Sequence, residues 1–163
     1  MEVMEKGFLV DATDRRILEI LSKNARMPYL EVARIVGISG AAVHQRVQKM
    51  ADAAVISGSQ FSLNPKGLGY NTCAFIGIQV SLTNGTTHQE VFDHIMEIPE
   101  IVECHHTSGK YSLFVKIFTL NNEHLKKVIV EQIQTINGVN STETFISLEK
   151  GFHRQIPVRE TKL

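Results

Sequence analysis

The sequence predicts an α+β protein built of two modules, an N-terminal winged helix-turn-helix and a C-terminal ferredoxin-like domain of order βαββαβ. Three observations carry this prediction. Residues 14–50 contain three short runs of helical period, two of them joined at a single glycine. After residue 70 the pattern alternates between strand-like and helix-like stretches. Between the two parts, "NPKGLGY" places one proline and two glycines within seven residues, which interrupts regular structure. The boundaries expected are 1–63 for the first domain, 64–70 for a hinge and 71–163 for the second domain.

The first run, "DRRILEILSKNA", gathers Ile17, Leu18, Ile20 and Leu21 on one face, and Thr13 or Asp14 can cap its start. The second, "YLEVARIVG", turns Leu30, Val32, Ala33 and Val36 inward and stops at Gly37, a residue free to adopt the left-handed conformation of a helix end. Small Ala33 lets the next helix cross closely. Ser39 is a good N-cap for that helix, which buries Val43, Val47 and Met50. Its opposite face carries Ala41, Gln45 and Gln48, flanked by Ala42, His44, Arg46 and Lys49. Small residues at the N-terminal end let a helix sink into a major groove. Gln45 and Gln48 can hydrogen-bond base edges, and His44 can reach bases or phosphates. Arg46 and Lys49 suit phosphates, as does the helix N-terminus at Ser39. A helical hairpin in a bundle, with these polar groups merely solvated, is the competing reading. "AVISGSQFSL" then reads as two short strands, Val55-Ile56 and Phe61–Leu63, forming a wing.

In the second half, "NTCAFIGIQVSL" is a strand apolar on both faces, with Ile78 near its centre. An amphipathic helix follows over "THQEVFDHIMEI" and ends before Pro99. "IVECHHTSGKYSLFVKIFT" is a hairpin turning at Ser108-Gly109-Lys110. "NEHLKKVIVEQIQTI" is the second helix, ended by Asn137-Gly138, and "VNSTETFISLEKGF" is the last strand. Such a sheet carries helices on one face only, so a doubly apolar first strand implies that a second copy covers the other face.

Charge and composition narrow the function. Hydrophobic residues make up 43% and charged residues 21%, which excludes a disordered chain. From Asp14 to Lys66 there are eight Lys/Arg against four Asp/Glu, and from Gly67 onward eight against ten, so a polyanion partner suits the first half. The opening "MEVMEKGFLVD" holds only a five-residue apolar-leaning patch, too short for a signal peptide, and no run approaches the ~18 apolar residues of a membrane span. Two cysteines, Cys73 and Cys104, form no disulfide framework, and a cytoplasmic protein with free thiols is expected. Cys104, His105 and His106 are adjacent, but alternation lets only Cys104 and His106 share a side, which cannot close a zinc site within one chain. No nucleophile–base spacing, phosphate loop or paired carboxylates stand out, so neither catalysis nor a cofactor is expected.

On "ARIVGISGAAVHQRVQKM", "LNPKGLGY", "TSGKYSLFVKI" and "IQTINGVNSTET", the chain resembles the Lrp/AsnC family of feast/famine transcription regulators, over residues 11 to about 158. Ser112, where many members have aspartate, and "GKYS", "IQTI" and "STET" make it most similar to the asparagine-responsive branch. Gly40 stands where the family often has proline, which leaves the first turn of the recognition helix looser. The resemblance implies a RAM-type second domain that dimerises, stacks into octamers and binds an amino acid between dimers. It places the effector around His106, Thr107, Ser108, Gly109, Lys110, Tyr111 and Ser112. Geometry adds Gln134. The second helix runs back from the end of the third strand, so its last turn returns beside the hairpin turn, where Gln134, Ser112 and the Gly109 backbone can meet. Such donors and acceptors suit an amide-bearing ligand. The architecture also resembles sirohaem decarboxylases, and a ligand-insensitive DNA-packaging protein is a third reading.

Overall fold

The computed structural model describes residues 8–81 and 87–158, so the opening residues read for a signal peptide lie mostly outside the described part. The chain divides into two compact units, one of residues up to Phe61 together with those from His153, the other Ser62–Phe152.

The first unit is built on three helices, α1 (Ala12–Leu21), α2 (Tyr29–Val36) and α3 (Gly40–Asp52). α1 starts two residues before the run read from the sequence. Its cap is Asp11, whose side chain accepts from the Asp14 N–H at 2.7 Å while Asp14 accepts from the Asp11 N–H at 3.2 Å. Gly37 ends α2 at φ 82°, as its lack of a Cβ allows. Ser39 caps α3 by accepting from the Ala42 N–H at 3.1 Å. Ile17, Val32, Ala33, Val43 and Met50 form the core, with Leu18, Ile20, Leu21, Val36 and Val47 packed around it. Leu30 was expected inside and is 62% exposed.

The wing is a correction. No strand forms between α3 and the second unit. Val55 and Ile56 instead donate their N–H groups to the Met50 carbonyl, at 2.8 and 3.1 Å. With the Ala54 N–H on the Ala51 carbonyl, this is a helix-ending motif that takes up the last free carbonyls of α3. It needs a left-handed residue, and Ala54 supplies it at φ 55°. Phe61 lies under the Arg26 guanidinium, 4.4 Å from the ring centroid.

The second unit opens on a compact turn within the stretch 64–70 read as the hinge. Asn64 accepts from the Lys66 N–H, a short 3-10 turn covers Lys66–Leu68, and Gly69 takes φ 87°. Then follow β1 (Thr72–Val80), α4 (His88–Met96), β2 (Ile101–His106), β3 (Leu113–Thr119), α5 (Asn122–Lys127) and β4 (Val139–Ile146). All pairings are antiparallel and the order is β2-β3-β1-β4, the ferredoxin-like arrangement. α5 was expected as one α-helix through the "IQTI" stretch. It continues instead as a π-helical segment over Val128–Ile133, with the Gln134 N–H donating to the Ile129 carbonyl at 2.9 Å.

Strand alternation sorts the sheet. Ala74, Ile76 and Ile78 of β1, with Leu113, Val115 and Ile117 of β3, are buried against Val91 and Ile95 of α4 and Leu125, Val128 and Ile133 beyond. The other, open face carries Phe75, Phe114 and Phe145, whose ring centroids lie 6.2 and 6.3 Å apart in succession, and Phe145 is 44% exposed.

Candidate functional site

α3 is held by the packing of Val43 and Met50, so its outer side is fixed. Ser39, Ala41, His44, Gln45, Gln48 and Lys49 are exposed on it, and Ala42 is half-buried. His44 packs edge-on to Tyr29, centroids 5.8 Å apart, and Gln48 donates to Asp52 at 2.8 Å one turn on. Arg46, half-buried on this side, is engaged within the chain. Its Nη1 donates to Asp11 Oδ2 at 2.6 Å and Asp14 Oδ1 at 2.8 Å, and the Asp14 side chain is only 4% exposed. The group read as a phosphate contact ties α3 to the capped start of α1. The signal that could have found this is the pair Asp11/Asp14 at capping-box spacing.

The expected effector turn joins β2 to β3. The Thr107 N–H donates to the Ser112 carbonyl at 3.1 Å, and the Thr107 hydroxyl donates to the Tyr111 carbonyl. Ser108 and Gly109 are exposed, and the space where a Gly109 side chain would point is open. Ser112 donates its N–H to the Ile78 carbonyl at 2.9 Å, and its hydroxyl accepts from the Val80 N–H at 3.3 Å. His106 packs on Phe92 of α4, centroids 5.1 Å apart. Burial pushes the Cys104 thiol above its ordinary value, as it does for Cys73. No cluster of three metal-ligating side chains occurs among the described residues.

Lys110 and Tyr111 point across the open face of the sheet. Lys110 Nζ donates to Glu143 Oε2 at 2.6 Å, and the Tyr111 hydroxyl donates to the same oxygen. These bonds hold the Glu143 carboxyl below its usual value, Lys110 contributing first, and they raise Lys110 in return. Gln134 does not meet Ser112 or Gly109. It donates from Nε2 to Thr142 Oγ1 on β4 at 2.9 Å. Thr142 pairs with Ile78, and Ile78 with Leu113, so one strand lies between Gln134's partner and the hairpin. Sequence reasoning missed Glu143 and Thr142, although "STET" contains both. A shallow depression along α5, lined by Asn121, Glu123, His124, Lys126, Lys127, Val130 and Glu131, takes no residue from either expected site.

A helix-turn-helix with an exposed polar helix, followed by a ferredoxin-like α+β domain, defines a class of two-part proteins that join a DNA-reading module to a sensing or assembly module. Comparison with known proteins makes it particular. A family model described as the AsnC-type helix-turn-helix domain matches residues 10–51, and one described as the Lrp/AsnC ligand binding domain matches residues 73–156. Regulatory protein AsnC of Haemophilus influenzae is 37% identical over 147 residues, covering 90% of this chain and 97% of the relative. The solved structure of E. coli AsnC superposes with a TM-score of 0.82 at 36% identity, over 92% of this chain and 99% of that one. The feast or famine regulatory protein of M. tuberculosis, complexed with L-methionine, has a TM-score of 0.84 at 24% identity, over 91% and 99% of the two chains, and so shares the fold. The chain belongs to the Lrp/AsnC family of transcription regulators. These findings favour a regulator over the decarboxylase and DNA-packaging readings.

Proposed function

We propose that this regulator binds double-stranded DNA through α3 and changes its assembly and DNA affinity on binding asparagine. The observation that carries the DNA reading is the exposed row of Ala41, His44, Gln45, Gln48 and Lys49 on a helix fixed by its buried face. A dimer presents two such helices to half-sites ~34–36 Å apart, or a multiple of that. Arg46, engaged with Asp11 and Asp14, leaves the set of phosphate contacts, and Lys49 and the α3 N-terminus at Ser39 remain.

The effector reading rests on an open turn at Gly109 and the amide of Gln134, with asparagine held between dimers that assemble into octamers. His106 and Tyr111 flank the site. Identity to relatives named AsnC supports asparagine, and a complex of a fold relative with methionine supports an amino acid in general. The protein is a cytoplasmic non-enzyme in this reading. No helix among the described residues is long and apolar enough to cross a membrane.

Calorimetry of asparagine, aspartate, glutamine and leucine tests the ligand. Asparagine binds tightest, and Gln134→Ala weakens it. Coupling of ~1–3 kcal/mol between effector and DNA is typical, and it is reciprocal, so operator DNA changes asparagine affinity by the same factor of about 5 to 150. Aspartate or leucine binding more tightly than asparagine overturns the assignment.

A further inference from the structure

The proposed effector residues fall into two groups, the hairpin stretch 106–112 and Gln134, with no hydrogen bond between them among the described residues. Three consecutive residues of β4 touch both. Alternation sends Thr142 to the helix-covered face, where it accepts from Gln134. It sends Ser141 and Glu143 to the open face. There the Ser141 hydroxyl donates to Gln79 Oε1 at 2.7 Å, and Gln79 Nε2 donates to the Lys110 carbonyl at 3.3 Å. Glu143 takes the Lys110 ammonium and the Tyr111 hydroxyl on one oxygen.

β1 lies between β4 and the hairpin, so Tyr111 must cross it. It does so over Gly77, the residue paired with Glu143. A Cβ at position 77 would stand 2.6 Å from Cγ and Cδ1 of the Tyr111 ring, a separation no packed side chain tolerates. The glycine leaves the gap through which the turn is tied to β4. Lys110 and Glu143 are 63% and 47% exposed, so as a surface ion pair they add little stability. Their consequence is geometric, because they fix where residues 108–111 stand.

We infer that Ser141, Thr142 and Glu143 are positioning residues of the effector site, holding the hairpin turn from one face of β4 and Gln134 from the other. Effector affinity then depends on residues that need not touch the ligand. This rests on the effector reading above, so the test has one readout that needs no effector.

Hydrogen exchange of the full chain follows the turn amides, Thr107 above all. Glu143→Ala speeds exchange at the turn about ten-fold, a change of the size that removal of a coupling residue produces, and leaves the core amides of β3 unchanged. Glu143→Gln falls between, since its amide oxygen still accepts from Tyr111. Gly77→Ala loosens the turn while keeping every hydrogen-bonding group, and Tyr111→Phe gives the same direction should that variant fail to fold. Thr142→Val leaves the turn alone. In calorimetry with asparagine, Glu143→Ala and Thr142→Val each raise Kd about ten-fold by separate routes. Equal turn exchange in the parent, Glu143→Ala and Tyr111→Phe overturns the inference, and so does a loosened turn with unchanged asparagine affinity. A parent that binds no asparagine, with the exchange effect present, sinks the ligand assignment and leaves the tether standing.

Discussion

Arg46 lies among the residues read as DNA contacts and is also tied into the fold. Its guanidinium binds two carboxylates, one of them, Asp14, almost fully buried. Removing the cation leaves that carboxylate without its counter-charge. A hydrogen bond to a charged group contributes about 1.5–3 kcal/mol, so Arg46→Ala lowers the stability of the first unit by about 2 kcal/mol in thermal unfolding. Unchanged unfolding would remove the pair from the account. Asp11 adds a pH dependence. The Asp14 N–H and then Arg46 hold its carboxyl below its ordinary value. A carboxyl lowered in the folded state stabilises above the unfolded value and loses that contribution as pH falls through the folded one. The melting temperature therefore drops below about pH 4. Asp11→Asn keeps a capping oxygen but cannot titrate, so its acid decline is shallower than the parent's.

At the scale of the element, α3 separates reading from holding. Gln45→Ala costs ~1–3 kcal/mol at its own base pair and relaxes preference there. Lys49→Ala weakens all sequences alike and flattens the salt dependence. Mobility-shift titrations over operator variants and salt distinguish the two, and parent-like binding by both variants refutes this docking. The helices and strands themselves were legible because burial imposes periods of 3.6 and 2 on the sequence. The wing was misread for a definite reason. Val55 and Ile56 have strand-forming side chains, but their N–H groups close the end of α3. Helix ends of this kind are usually announced by glycine, and here the left-handed residue is Ala54. The π-helical segment was equally hidden, since local pattern does not tell an i−4 bond from an i−5 bond.

For the whole molecule, the doubly apolar β1 predicts a dimer buried through the sheet, and the structure decides which face is available. Ile78, the centre of the strand in the sequence, is fully buried under the helices. Ile78→Glu therefore unfolds the second unit instead of parting two folded copies. Phe145 lies on the open face and is 44% exposed. Phe145→Glu gives folded monomers in sedimentation velocity. A folded dimer after that change excludes the open face as the interface.

By itself the sequence determined the two-part architecture, the order of elements, the caps at Gly37 and Ser39 and the polar face of α3, because each is written in residues close along the chain. It placed the hairpin turn at 108–110 for the same reason. Only the tertiary structure decided that Arg46 belongs to Asp11 and Asp14, that Gln134 meets Thr142 and that Glu143 holds Tyr111 across Gly77. These partners stand 35 and 32 residues apart for Arg46, eight for Gln134 and 32 for Tyr111. Periodicity says which face a side chain takes, but a partner across the sheet is chosen by strand order and register, which form only when the chain closes on itself.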